Sequence, residues 1–437
     1  MSCGRTDCAG VLPRGAASSL GADAPAFWRV GLLSFGGPAG QIAVMHRVFV
    51  EERGWLDEDR FLHALNFCMV LPGPEAMQLA TYVGWLRHGW RGGLLAGLAF
   101  VLPGLAMILA LSALYLVYGD VPLVAGLLYG LQAAVLAVVA EALLKVSRRA
   151  LHGPASLGVA VAAFVAIALL SVPFPLVVLG AALFGLARYL VSGRTGPPAP
   201  VEGRDRPAGT SRTLLIWGAA WVLPGLALWW VLGDTVLPRM ALFFSQAAIV
   251  TFGGAYAVLA YVAQAAVETH GWLMPGEMVT GLGLAETTLG PLVLVLVFVG
   301  FLGGARGAAT EPLLGGLAGG LVAAWFTFVP CFLWVLLGAP FMERLRTVAW
   351  LRAALAAVTA AVVGVIANLA LWFGLRVLFG EPGEGTLGPL VLPVPDWSTL
   401  DLPALMIALA AGIALMRFHV GIIAVLGAAA LAGALVN

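Results

Sequence analysis

The sequence carries few charges and almost no lysine. Charged residues make up 10% of the 437 residues, and a single lysine, Lys145, accompanies 22 arginines. A soluble globular protein carries about 25% charged residues, so this chain lacks the charges for a water-exposed surface. A net charge of +1 also argues against a nucleic-acid partner. Because 61% of the residues are hydrophobic, the composition indicates a membrane protein.

Several chemical signatures are absent as well. The four cysteines, Cys3, Cys8, Cys68 and Cys331, show neither metal-ligand nor disulfide spacing. The sequence has no cluster of acidic or histidine residues of the kind that a membrane-embedded enzyme needs. It has no Gly-x-x-x-x-Gly-Lys loop, which excludes ATP-driven pumping by this chain alone. We therefore predict neither an enzyme, nor a cofactor, nor a metal site.

What the sequence does contain is a long series of apolar stretches near the length of a membrane span. The predicted fold is an all-α polytopic membrane protein with roughly 12–13 spans, including broken or re-entrant helices. Residues 1–26 have no apolar core of a signal peptide and are predicted to be a disordered tail. The predicted spans are 27–46, 61–86, 91–117, 122–145, 155–170, 173–191, 213–232, 240–263, 276–301, 309–337, 349–379, 401–416 and 418–436.

The same short motifs occur twice, 217 residues apart. Three matches in one register indicate a duplicated unit, which is typical of secondary transporters. We predict a first repeat over 27–191, a polar linker with one connecting span over 192–239, and a second repeat over 240–437. Phe35-Gly36-Gly37 recurs as Phe252-Gly253-Gly254, Gly54-Trp55-Leu56 as Gly271-Trp272-Leu273, and Gly73-Pro74 as Gly290-Pro291.

The orientation follows from the basic residues of the short loops. Arginine-rich loops alternate along the chain and predict a cytoplasmic N-terminus. Six spans return the chain to the cytoplasmic side, so the connecting span at 213–232 starts the second repeat outside. The two halves are therefore predicted to lie inverted in the membrane, with a substrate site near the midplane where broken helices meet.

Two stretches are predicted to break their helices. The two glycines in Ser34–Pro38 weaken a helix and expose backbone N–H groups that can bind an anion; close helix packing through small residues is the alternative. Pro72-Gly73-Pro74 lies inside a predicted span, where irregular backbone must be buried in protein or line a wet cavity. Glu75 follows directly and is a functional candidate at this depth, with a structural kink as the alternative.

These motifs resemble those of the long-chain chromate ion transporters, the CHR family, over about Phe27 to Asn437. The resemblance implies two fused inverted halves that export chromate across the bacterial inner membrane, with sulfate as a related oxyanion and chromate resistance as the outcome. An anion channel or an oxyanion uptake system of the same fold is the alternative, and a homodimer is compatible with the sequence. Two positions depart from the pattern: Leu289 and Ala255 replace expected prolines, which predicts a less sharp bend in the second half.

With a tetrahedral dianion as substrate, the predicted site uses backbone N–H groups, hydroxyls, amides and one cation. An ionised Glu75 would repel the dianion, so it is either protonated when the anion is bound, which would make it a proton carrier, or lies elsewhere. The predicted binding residues are Arg29, Ser34, Phe35, Gly36, Gly37, Pro38, Gln41, Pro72, Gly73, Pro74, Glu75, Gln78, Tyr82, Thr251, Phe252, Gly253, Gly254, Glu286, Thr287, Thr288, Gly290 and Pro291, with Thr81 as a further hydroxyl.

Overall fold

The computed structural model describes residues 19–192, 210–252, 255–308, 311–341, 348–379, 383–387 and 390–436. Most of the predicted linker, and both Gly253 and Gly254, lie outside these ranges. The α-helices are α1 Leu20–Leu33, α2 Gly37–His46, α3 Glu58–Cys68, α4 Glu75–Tyr118, α5 Pro122–Ala150, α6 Pro154–Ala168, α7 Phe174–Val191, α8 Thr210–Leu232, α9 Val236–Val250, α10 Ala255–Gln264, α11 Pro275–Thr287, α12 Val295–Gly307, α13 Pro312–Gly338, α14 Ala349–Leu378, α15 Leu402–Met416 and α16 Ile422–Val436.

The structure confirms an all-α polytopic membrane protein. Among the described residues, six helices are long and apolar enough to cross a bilayer. An antiparallel pair of short strands, β1 Gly383–Leu387 and β2 Leu390–Val394, lies in the connection between α14 and α15. The six long helices are Glu75–Tyr118, Pro122–Ala150, Phe174–Val191, Thr210–Leu232, Pro312–Phe341 and Ala349–Leu378.

The predicted tail ends earlier than expected. Helix α1 begins at Leu20, inside the stretch predicted to be disordered. The hydroxyl oxygen of Ser19 accepts a hydrogen bond from the N–H of Ala22 and caps this helix, a role that serine fills well. Residues 20–26 are therefore helical, whereas residues 1–18 lie outside the described part of the chain.

The predicted span 27–46 is two short helices. Helix α1 ends at Leu33 and α2 starts at Gly37, with Gly36 and Gly37 at φ values of +79° and +72°. This left-handed region is open to glycine and costs other residues energy, so the glycine pair fixes the break here. Pro38 then occupies the first turn of α2, where its missing N–H is harmless.

A second break follows in each half. Helix α3 ends at Cys68 and α4 begins at Glu75, with Gly73 at φ +123° between them. In the second half, α11 ends at Thr287 and the backbone turns at Gly290, whose φ is +78°. The predicted break at the Pro-Gly-Pro motif is confirmed. The helix of the second half is also broken at this place. Leu289 replaces a proline there, but the positive φ of Gly290 is sufficient to turn the backbone.

Local geometry repeats at the same offset of 217 residues. Each half has a π-helical segment, Arg47–Glu52 and Ala265–Thr269, before its Gly-Trp-Leu motif. The N–H of Trp55 donates to the carbonyl of Phe49 at 2.7 Å, and its equivalent Trp272 donates to Ala266 at 2.8 Å. The glycines preceding these tryptophans have φ values of +56° and +61°. The sequence repeat is thus also a repeat of backbone conformation.

The breaks of the two halves are joined by a reciprocal pair of hydrogen bonds, which we call the interlock. The N–H of Gly73 donates to the carbonyl of Thr251 at 2.9 Å, and the N–H of Gly290 donates to the carbonyl of Ser34 at 3.0 Å. These four residues are equivalent in pairs at the offset of 217. The Pro-Gly-Pro motif of the first half therefore contacts the second half directly.

The long helices also pack across the two halves. Helix α5 of the first half packs against α15 and α16 of the second, and α14 of the second half packs against α6 and α7 of the first. Each half therefore completes its helical packing with elements of the other.

We predict that Gly73→Ala destabilises the protein more than Gly54→Ala. A Cβ atom at Gly73 would lie 2.7 Å from Cys331 Sγ and from Gln78 Nε2, whereas at Gly54 nothing lies within 4 Å. Both substitutions strain a positive φ, at about 1–2 kcal/mol each. The clash should add roughly 1–3 kcal/mol at Gly73 alone. Thermal unfolding in detergent measures the difference, and equal midpoints for the two variants would contradict the packing described here.

Equivalent positions beside the two tryptophans should lie on opposite sides of the membrane. Arg53→Cys and His270→Cys, each in a protein otherwise free of cysteine, place a thiol on an exposed residue at the offset of 217. A membrane-impermeant maleimide applied to intact cells should label only one of them. Labelling of both from one side would exclude the inverted arrangement.

Candidate functional site

The interlock is surrounded by buried polar side chains from both halves. We use the name central cluster for Ser34, Gly36, Gly37, Gln41, Gly73, Gln78, Thr251, Tyr256, Glu286 and Gly290. Its amide and carboxyl side chains are almost completely buried, with exposed fractions of 1% for Gln41, 0% for Gln78 and 2% for Glu286. These three side chains are therefore shielded from solvent in this conformation, whereas Gly36, Gly37 and Tyr256 are partly exposed.

The predicted hydroxyl donors are already engaged with their own helices. Ser34 Oγ donates to the carbonyl of Val30 at 2.6 Å, and Thr251 Oγ1 donates to that of Ala247 at 2.5 Å. The hydroxyls of Thr81, Thr287 and Thr288 likewise donate to carbonyls three or four residues earlier. A hydroxyl has one proton to donate. In this conformation these groups help to terminate or bend helices and have no proton left for an anion.

Two buried amides retain donor capacity. Gln41 Nε2 donates to the carbonyl of Gly290 at 2.6 Å, and Gln78 Nε2 donates to that of Pro72 at 2.7 Å. An amide nitrogen has two hydrogens, so each keeps a second one. The Oε1 atom of each side chain is buried and has no hydrogen-bond partner among the described residues. Unpartnered buried acceptors are costly, and these two oxygens would be satisfied by a hydrogen-bond donor such as water, while the second N–H of each amide stays available to an anion.

Backbone donors complete the set. The N–H groups of Gly36 and Gly37, at the start of α2, donate no hydrogen bond to any described residue. A helix N-terminus also carries a partial positive charge that favours anions. Because neither glycine has a side chain, the backbone here is accessible to a ligand. The first-half break therefore offers an anion two N–H groups beside the Gln41 amide.

Glu286 brings a carboxyl group to the same place. Its Oε1 accepts a hydrogen bond from the Tyr256 hydroxyl at 2.6 Å, while Oε2 is buried without a partner. The Oε2 atom lies 3.9 Å from the point where a Cβ of Gly37 would stand. Tyr256 was missed by sequence analysis. The signal was a tyrosine in the first turn after the second Phe-Gly-Gly motif, inside an apolar span.

Other predicted residues lie elsewhere or contribute backbone shape. Arg29 forms an ion pair with Glu52 at 2.5 Å and is half-exposed, so the structure does not bring it to the central cluster. Tyr82 is buried between Phe67 and Trp85. Phe35, Pro38, Pro72, Pro74, Phe252 and Pro291 lie in or beside the breaks and shape their backbone.

Glu75 occupies a different environment from Glu286. It is the first residue of α4 and is partly exposed. This position is that of a carboxylate that stabilises a helix N-terminus.

The amide and carboxyl side chains do not follow the repeat. Ser34 and Thr251 are equivalent hydroxyl residues, but each amide or carboxyl side chain has an apolar equivalent in the other half. The equivalents at the offset of 217 are Val258 for Gln41, Val295 for Gln78, Leu292 for Glu75 and Met69 for Glu286.

Within the described ranges, no group of three His, Cys, Asp or Glu side chains could hold a metal ion. The cluster instead combines neutral N–H donors with one carboxyl group. Neutral N–H donors accommodate an anion, whereas a carboxyl group does so only in its protonated form.

The sequence is similar to three proteins that are named for chromate transport. The chain is 30% identical over 358 residues to a probable chromate transport protein of Synechococcus elongatus, covering 82% of this chain and 85% of that protein. It is 29% identical to a chromate transport protein of Cupriavidus metallidurans, covering 82% and 83%. It is 31% identical to one of Pseudomonas aeruginosa, covering 78% and 77%. No solved structure matches the chain.

A family model described as chromate transporter matches residues 24–186 and 238–434, which include both breaks of each half and every residue of the central cluster. Because this match covers most of the sequence, the chain belongs to the chromate transporter family.

Proposed function

We propose that this chain is a secondary transporter that exports chromate across the cytoplasmic membrane and binds it at the central cluster. The observation that carries the proposal is the pair of N–H groups of Gly36 and Gly37, which donate to no residue that the structure describes, about one helical turn before the buried amide of Gln41. Sulfate has the same tetrahedral shape and charge, so we include it as a second substrate. The proposed domain division, two repeats joined by a linker and α8, follows the repeated backbone conformation.

Binding without a fixed cation suits a transporter. No arginine or lysine belongs to the central cluster, so the anion would be held by amide and backbone dipoles alone. A binding group must attract the substrate enough to admit it, yet release it on the other side. A buried arginine would hold a dianion through charge-assisted hydrogen bonds, which are about twice as strong as neutral ones.

The membrane potential favours export. Moving two negative charges out of a cell that is 100 mV negative inside gains about 4.6 kcal/mol, at ~2.3 kcal/mol per charge. Since 1.4 kcal/mol corresponds to a factor of ten, this supports a gradient above ~10³. Export therefore needs no further energy source, whereas uptake of a dianion does.

The basic helix ends support a cytoplasmic N-terminus. Arg148 and Arg149 end α5, Arg188 lies in the last turn of α7, and Arg352 lies in the first turn of α14. Lysine and arginine are enriched on the cytoplasmic side of membrane proteins. We therefore assign these ends to the cytoplasm.

Chromate flux into inside-out membrane vesicles should distinguish export from its alternatives. An interior-positive potential should drive saturable chromate accumulation, and unlabelled chromate inside should stimulate exchange. Sulfate should compete, and phosphate serves as the comparison anion. Linear flux without saturation or exchange would identify a channel. Accumulation only in right-side-out vesicles with a proton gradient would identify an uptake system.

Removing either buried amide should weaken binding. We predict that Gln41→Leu and Gln78→Leu each raise the apparent Kd for chromate about 10–100-fold, because a hydrogen bond to a charged group contributes ~1.5–3 kcal/mol. Gln132→Leu is the matched control, since this amide donates to Thr280 Oγ1 outside the cluster. Equal loss in all three variants would show that folding, and not the site, had been altered.

A further inference from the structure

We propose that Glu286 is a proton-binding site of the transport cycle, and that one proton is taken up when the oxyanion binds. The inference rests on the proposed function and adds a second, coupled ion to it. It assigns to Glu286 the role of proton carrier that the sequence alone suggested for Glu75.

The carboxyl group of Glu286 lies in the central cluster. Glu286 is buried at the end of α11, and one of its oxygens is held by the hydroxyl of Tyr256. The other oxygen, Oε2, is directed to Gly37, whose N–H is one of the free donors proposed to hold the anion. An anion bound at these donors would therefore lie beside Oε2.

The charges that act on Glu286 come from α5, which carries Glu141 and Lys145. These two form an ion pair with each other at 2.6 Å, so Lys145 is not a dedicated partner of Glu286. Helix α10 contributes the neutral hydroxyl of Tyr256, and α2 approaches Oε2 at Gly37. A buried carboxylate without its own cation is costly, so a second negative charge beside it favours the uptake of a proton.

An ionised Glu286 would repel a dianion at Gly37, whereas a protonated Oε2 can donate a hydrogen bond to an oxyanion oxygen. The dianion and the proton therefore stabilise each other in the site. When the anion leaves, the proton is no longer held by it and is released to the same compartment. The transported unit then carries one negative charge in place of two.

Glu75 does not meet these conditions. It is partly exposed at the first turn of α4, where the helix N-terminus stabilises a carboxylate, and it does not belong to the central cluster. Because it is a carboxyl group at a neighbouring break in the same protein, it supplies a matched control for Glu286.

Proton uptake can be measured directly by calorimetry. The purified protein is titrated with sulfate, and with chromate at alkaline pH where it is fully dianionic, in buffers that differ in ionisation enthalpy. The difference in apparent binding enthalpy gives the number of protons taken up per anion. We expect about one for the wild type when Glu286 is ionised in the free protein, with an apparent Kd that rises about tenfold per pH unit.

The variants separate the two carboxyl groups. Glu286→Gln should still bind sulfate, but with no proton uptake and an apparent Kd that does not depend on pH. Glu75→Gln should take up a proton as the wild type does. Proton uptake that persists in Glu286→Gln, or that is lost in Glu75→Gln alone, would overturn the assignment.

The wild-type measurement is decisive even if Glu286→Gln fails to fold. Anion binding at every pH without proton uptake would overturn this inference and leave the proposed function intact. Absence of binding for both sulfate and chromate would overturn the proposed function, and this inference with it.

Discussion

Backbone polar groups inside a membrane need hydrogen-bond partners within the protein, and this constraint organises the whole structure. Four helix breaks at depth would expose unsatisfied N–H and carbonyl groups to lipid, at several kcal/mol each. The interlock resolves part of this by pairing the breaks of one half with those of the other, through Gly73 with Thr251 and Gly290 with Ser34. The donors left over, at Gly36 and Gly37, are the ones that a substrate would use.

The backbone conformation of the two halves is symmetric in this arrangement, whereas the amide, carboxyl and phenol side chains of the central cluster are not. The breaks, π-helical segments and glycine conformations repeat, because both halves must satisfy the same backbone requirements. The amide, carboxyl and phenol side chains do not repeat: Gln41 and Gln78 come from the first half, and Tyr256 and Glu286 from the second. Donors and carboxyl group therefore reach one place from opposite halves. A change in how the halves contact each other changes the site directly.

Much of this arrangement could be predicted from the sequence. The glycine pair and the Pro-Gly-Pro motif determine where helices end, because their backbone preferences are local. The roles of Ser34 and Thr251 could not be predicted, since a hydroxyl can donate to its own helix or to a ligand, and both donate here to carbonyls four residues earlier. Tyr256 and the ion pair of Arg29 with Glu52 depend on contacts between distant segments, which spacing along the chain does not reveal.

The interlock also has a consequence for the biogenesis of the protein. When the ribosome has completed the first half, Gly73 and Ser34 still lack the partners that Thr251 and Gly290 will supply 178 and 256 residues later in the chain. The nascent first half thus enters the membrane with the N–H of Gly73 and the carbonyl of Ser34 still without their hydrogen-bond partners. It must be shielded by the insertion machinery until α9 to α12 arrive, and fusion of the halves into one polypeptide ensures that they do.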